Sequence, residues 1–182
     1  MKNFIIISAP SGSGKTSICK KILIQDKNIE FSVSCTTRTK RSQEKNGIDY
    51  IFLNQDEFIK KINNKEFAEW EKIHGNFYYG TLKKTLNNAI KSNSKLLLEL
   101  DVKGAKKIMK NFPNNHLSVF IEPPSKDELF KRLKDRGADS ISTIEKRMER
   151  FESEMMYKIH FNHVIINSKL NDAVNSILKI IN

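Results

Sequence analysis

Near the start of the chain, Ala9-Pro10-Ser11-Gly12-Ser13-Gly14-Lys15-Thr16 places two glycines ahead of a Lys-Thr pair. The spacing is that of a phosphate-binding loop, with Ala9 where the first glycine usually stands. Gly12 and Gly14 let the backbone bend until successive N–H groups face phosphate oxygens, and a helix starting at Lys15 adds its partial positive charge. Lys15 can place a point charge on a transferring phosphoryl group. The Thr16 hydroxyl suits Mg²⁺, whose remaining ligands would be phosphates and water. Alanine fits at position 9 if its φ stays negative.

A second chemical set follows. Ser34-Cys35-Thr36-Thr37-Arg38-Thr39-Lys40-Arg41 puts two arginines three apart beside hydroxyls, and the planar guanidinium fork matches a phosphate monoester. Then come Gly47-Ile48-Asp49-Tyr50, Phe67-Ala68-Glu69-Trp70 and Gly75-Asn76-Phe77-Tyr78-Tyr79-Gly80-Thr81. Tyrosine hydroxyls can close a phosphate cage, and a carboxylate among aromatics can accept two N–H donors from a base edge. Plainer readings stand beside these. Tyr50 and Tyr79 could be core aromatics, Glu69 an edge-strand acid, and Arg132 a helix-surface partner of Glu128. The four histidines form no ligand pattern and read as structural, and Cys19 and Cys35 read as packing residues.

The elements that must hold these residues alternate. Phe4 to Ser8, Leu96 to Asp101, Leu117 to Ile121 and Val164 to Ile166 are apolar runs typical of strands buried on both faces. Helices are predicted at Lys15–Ile24, after an Asn54–Glu57 capping box, after Thr81 as a cap, at Gly104–Phe112, after a Ser125–Glu128 box, after a Ser142–Glu145 box as far as Ile159, and at Leu170–Ile181. Strand–helix alternation implies a parallel sheet with right-handed crossovers. Phe31-Ser32-Val33-Ser34 and Tyr50-Ile51-Phe52 break that rhythm with short alternating aromatic segments. The expected fold is α/β: a parallel sheet flanked by helices, with a small mixed insertion and a polar interruption from Arg132 to Arg147.

With 182 residues, 38% of them hydrophobic, the chain can close one sizeable core. No apolar run approaches the roughly 20 residues of a membrane span, and the N-terminal run lacks the full apolar region of a signal peptide. Two cysteines cannot build a disulfide framework. A soluble, cytoplasmic protein is expected, with no membrane partner. The net charge of +11 favours anionic partners, but it rests on lysine in an Asn- and Ile-rich composition, without the surface aromatics or recognition motif of a nucleic-acid binder. No nucleic-acid partner is expected, and the sequence leaves open a monomer or a homo-oligomer.

Taken in order, the phosphate loop, Ser-x-Thr-Thr-Arg-x-x-Arg, Gly-x-x-Tyr, the glutamate before an aromatic, the Gly-Asn segment ending Tyr-Gly-Thr, the acidic strand end, Pro-Pro-Ser, Arg-Leu-x-x-Arg-Gly and Lys-Arg-Met resemble the guanylate kinases over essentially the whole chain. The resemblance implies an α/β fold with a P-loop type, five-stranded parallel sheet flanked by helices (1–33, 82–125 and 148–182), a small mixed α/β insertion (34–81) and a short lid (126–147). It implies phosphoryl transfer from ATP to GMP with Mg²⁺. It implies that Arg38, Arg41, Tyr50 and Tyr79 hold the GMP phosphate, that Glu69 with Ser34 and Thr81 reads guanine, and that Glu99 and Asp101 belong to the same site. ATP would lie on the loop from Ala9 to Thr16, under Arg132, Arg136 and Arg147 of the lid, with Asn167 near the adenine. Lys15, Arg38, Arg136 and Arg147 would carry the catalysis. The sequence departs from the family at Glu99, where aspartate is usual, at Lys103 for glutamine and at Ser168 for aspartate. The Gly75–Thr81 segment is one residue longer than is common in the family, so Tyr78 competes with Tyr79 for the phosphate. Rival readings are a monophosphate kinase for another base and a catalytically silent, phosphopeptide-binding relative.

Overall fold

The computed structural model describes residues 2–73, 76–135, 137 and 140–182. Five strands, β1 (Phe4–Ser8), β2 (Ile29–Phe31), β7 (Lys95–Leu100), β8 (His116–Glu122) and β9 (His163–Ile166), form a parallel sheet in the order β2-β7-β1-β8-β9. Every residue of β1 is buried because helices cover both faces. The strand period of two sorts its side chains. Phe4 and Ile6 join Leu96, Leu98 and Phe120 under α4 (Val102–Asn111) and α3 (Lys83–Ser92). Ile5 and Ile7 join Ile18, Ile22, Val174 and Ile177 of α1 (Lys15–Gln25) and α7 (Leu170–Ile181).

A second, mixed sheet in the order β4-β3-β6-β5 is built from β3 (Cys35–Thr36), β4 (Ile51–Phe52), β5 (Phe67–Ile73) and β6 (Phe77–Leu82). It has its own apolar cluster of Cys35, Phe58 and Phe67, with Phe58 supplied by α2 (Gln55–Asn63). The Asn54–Glu57 capping box forms in both directions. Antiparallel β5 and β6 slip register between Phe67 and Glu69, a bulge that re-aims Glu69. Asn111 Nδ2 of α4 donates to Ala68 O at 3.3 Å and Lys107 pairs with Glu71 at 2.7 Å, so α4 lies against β5.

Several elements differ from expectation. Thr81 stays in β6 and α3 begins after Leu82 without a side-chain cap, because the threonine hydroxyl is engaged elsewhere. Helix α4 starts at Val102, since Asp101 leaves the strand and caps it through the N–H groups of Lys103 and Gly104. Helix α5 (Lys126–Asp135) keeps half of its predicted box: Ser125 Oγ accepts from Glu128 N–H, but the Glu128 carboxylate turns to Arg132. Helix α6 (Ile141–Met155) is capped by Ser140 rather than Ser142 and ends in a 3₁₀ turn, Met156–His160. That turn has about 3.0 residues per turn, so the spacing of four fails there, and Ile159 is left 80% exposed. Strand β9 lies at the sheet edge, and Val164 and Ile166 are exposed while Ile165 packs inward.

Candidate active site

The loop between β1 and α1 bends at Gly12 (φ 94°) and Gly14 (φ 90°), conformations that side chains resist. Ala9 is not among the positive-φ residues, so the missing glycine costs the loop nothing. Ser13 is fully buried, with its N–H on Pro10 O at 3.2 Å. Lys15 Nζ donates to Leu100 O at 3.1 Å and stands 3.8 Å from Glu99, while Thr16 Oγ1 donates to Glu99 Oε1 at 2.5 Å. Glu99, at the end of β7, therefore ties both loop side chains to the sheet.

Asn167, expected near the adenine, follows β9 beside the loop, 4% exposed, with Nδ2 donating to Ser13 O at 2.8 Å. A Cβ on Gly14 would come within 2.5 Å of that nitrogen. Asn167 thus braces the phosphate loop from the protein side.

Helix α6 supplies the rim. Arg147 Nη1 donates to Ser11 Oγ at 3.0 Å, and Glu154 Oε2 accepts the Ser11 N–H at 3.2 Å. Residues seven apart lie two turns along one helix face, so one face of α6 clasps Ser11 from both ends. Burial pushes the Glu154 carboxyl up, against the Ser11 N–H, which lowers it. Arg132 lines the cleft and pairs with Glu128 at 2.9 Å, as the plainer reading anticipated. Arg136 lies outside the described residues.

At the other end of the cleft, Arg38 donates to Glu44 Oε1 at 2.6 Å and to Thr39 O at 2.7 Å, with its guanidinium 5.5 Å from the Tyr50 ring centre. Glu44 also accepts the Arg41 N–H at 2.8 Å. Burial would raise the Glu44 carboxyl, but the Arg38 bond and the Arg41 N–H hold it below its ordinary value. Tyr50 and Tyr79 meet edge to face at 6.0 Å. Tyr79 faces the cleft, and alternation along β6 sends Tyr78 to Phe58 and Trp70. Burial raises the Tyr50 phenol, which stays a donor.

Between the two ends sits Glu69, 5% exposed, accepting the Thr81 hydroxyl at 2.6 Å. Burial pushes its carboxyl up to about 7, and Thr81 pulls the other way. Ser34, Arg41, Tyr50, Glu69, Tyr79, Glu99 and Asp101 line one cleft of about 480 Å³ together with Lys15, Thr16, Arg132 and Arg147. An adjoining hollow of about 700 Å³ runs along α1 past Arg38, Glu44 and Tyr50. Thr81 and Arg38 reach the cleft through Glu69 and Tyr50 rather than on its wall.

Sequence reasoning missed Glu44 and Glu154. Glu154 left a signal, its seven-residue offset from Arg147 on a periodic helix; Glu44 left only its nearness to Arg38 in a loop. Three of the histidines lie among the described residues and His74 does not; His116 Nδ1 bonds Phe112 O at 2.8 Å and His160 meets Lys106 at 3.1 Å. Among the described residues, no three His, Cys, Asp or Glu side chains gather as a metal group, and both cysteines are free and buried.

A parallel sheet that opens through a phosphate loop onto a cleft, with an arginine–tyrosine cluster at the far end, defines a P-loop nucleotide-binding α/β protein. Within that class the chain belongs to the guanylate kinase family, whose model, Guanylate kinase, matches residues 1–182. It is 41% identical to the guanylate kinase of Prochlorococcus marinus subsp. pastoris, over 100% of this chain and 97% of that protein. It is 38% identical to that of Thermotoga maritima, over 97% and 84%. The crystal structure of guanylate kinase from Anaplasma phagocytophilum superposes with a TM-score of 0.81 at 30% identity, covering 97% of this chain and 82% of that one.

Proposed function

We propose that the chain transfers the γ-phosphoryl group of ATP to GMP, giving ADP and GDP, with the roles set by the two ends of the cleft. The observation that carries this reading is the single cleft that joins Lys15 and Thr16 to Glu69, Arg41, Tyr50 and Tyr79. A GMP phosphate oxygen attacks the γ-phosphorus as the bond to the β–γ bridging oxygen breaks, and ADP leaves. The acceptor is already anionic, so no strong base is required; the problem is to bring two anions together.

Lys15 swings from Leu100 O onto the transferring group. Arg38, Arg41, Tyr50 and Tyr79 hold the acceptor phosphate, with Glu44 keeping the Arg38 fork in place. Arg132, Arg136 and Arg147 neutralise the ATP side and, by closing, exclude water. Glu69 accepts guanine N1–H and the exocyclic amine, with Ser34 and Thr81 beside it. Adenine has neither donor, and a buried carboxylate left unpaired costs several kcal/mol, which discriminates steeply. The Thr16 hydroxyl and the Glu99 carboxylate beside it are hard oxygen donors that fit Mg²⁺, held otherwise by phosphates and water. When bound, Mg²⁺ would neutralise charge on the ATP phosphates.

The test is ADP formation from Mg-ATP with GMP, AMP, CMP or UMP, beside Lys15→Ala. Turnover with GMP alone, lost in the variant, is expected. Turnover with another acceptor would sink the base assignment. Phosphopeptide or GMP binding without turnover would place the chain with the silent relatives.

A further inference from the structure

Gly104 is the third residue of α4, a buried helical position where glycine is a poorer helix former than alanine. A Cβ built there would stand 2.8 Å from Glu69 Oε2 and 3.3 Å from Glu69 Cδ, with Asp101 Oδ2 next at 3.5 Å. The near atoms are thus the far end of one flexible side chain and no backbone. A methyl group at this position would leave the helix intact, and the carboxylate would be what moves.

The carboxylate can yield only by turning about its bond to Thr81. Glu69 Oε1 is fixed by the Thr81 hydroxyl at 2.6 Å, its backbone is set by the β5 bulge, and α4 is pinned to β5 through Asn111 and Lys107. Asp101 is also committed, because its Oδ1 accepts the N–H groups of Lys103 and Gly104. The wall opposite Thr81 is therefore the bare α-carbon of Gly104.

We infer that Gly104 is a positioning residue for base recognition: its missing side chain sets the plane of the Glu69 carboxylate that faces the purine. This rests on the assignment of Glu69 to the base. Displacing the carboxylate misaligns both acceptor directions at once, while the phosphate loop and the Arg38 cluster are untouched. A merely structural glycine predicts the opposite, a variant stabilised by better helix propensity with unchanged kinetics.

The experiment compares Gly104→Ala, Glu69→Ala and the double variant by thermal melting, by KM for GMP and for ATP, and by calorimetric titration with GMP. Gly104→Ala is expected to melt at or above the parent, to raise KM and Kd for GMP roughly 10- to 100-fold, the range of a lost hydrogen bond to a charged group, and to leave KM for ATP within about twofold. In the Glu69→Ala background the same change is expected to add nothing, because the carboxylate it acts through is gone. An unchanged KM for GMP, a parallel rise for ATP, an additive loss in the double variant, or a melt far below the parent would each overturn the inference. Glu69→Gln, measured alongside, separates the two levels: if it binds GMP as tightly as the parent, the base assignment itself falls; if it weakens GMP while Gly104→Ala does not, only the role of Gly104 falls.

Discussion

Glu69 illustrates how burial turns an ordinary side chain into a pH-sensitive one. Its carboxyl is raised to about 7 by burial, with Thr81 opposing. Only the ionised form accepts two N–H donors, so kcat/KM for GMP is expected to fall as pH drops below about 7, while Kd for ATP stays level across the same window. Stability moves the other way. A carboxyl whose folded pKa is raised contributes stability that is fully present below its unfolded value near 4.3 and is lost as pH rises through 7. Glu69→Gln should therefore flatten both profiles, which a pH series of melts and initial rates would check. At the phosphate end, Glu44→Gln is expected to raise KM for GMP by about tenfold with little change in KM for ATP, since it weakens the 2.6 Å pair that holds the Arg38 fork. Steady-state kinetics with each substrate varied in turn decides it.

Among the elements, caps and braces decide where functional side chains stand. Asn54 and Glu57 satisfy each other's backbone N–H groups at the start of α2, and Asn54→Ala should cost about 1 kcal/mol in denaturant unfolding. Asn167→Ala removes the buried amide that braces Ser13 O, leaving a buried carbonyl short of its donor. A loss of about 1–3 kcal/mol is expected, with KM for ATP raised and KM for GMP unmoved. Equal effects on both substrates would show that Asn167 supports the whole fold rather than the loop. Much of this level was legible beforehand. The Asn54 box, the β1 run and the amphipathic closing helix each carry a local signal strong enough to survive tertiary context. The Thr81 cap failed because a long-range partner took it, Glu69 across the hairpin. The Ser142 box lost to a neighbouring cap, Ser140, which accepts the Thr143 N–H, and α6 stops short of Ile159 where the chain tightens into the 3₁₀ turn.

Across the whole molecule, two sheets with separate apolar clusters meet at the cleft. The smaller one depends on Phe58, fully buried and stacked on Phe67 at 4.4 Å. Phe58→Ala should cost about 3–5 kcal/mol and weaken GMP binding more than ATP binding, because the ATP loop is anchored in the larger sheet. Titration with each nucleotide, beside a denaturant melt, tests that division. Among the described residues no helix is long and apolar enough to cross a membrane.

The sequence by itself determined the phosphate loop, the strand–helix alternation and the order of residues that resemble guanylate kinases. These are local or ordered features, set by backbone geometry at Gly12 and Gly14 and by periodic burial. Tertiary structure alone decided that Glu99 holds Lys15 and Thr16, that Asn167 stands beside the loop, that Tyr79 rather than Tyr78 faces the cleft, and that Gly104 borders the Glu69 carboxylate. Each of these pairings joins residues from different elements, and only packing of one sheet, helix or loop against another sets the distance between them.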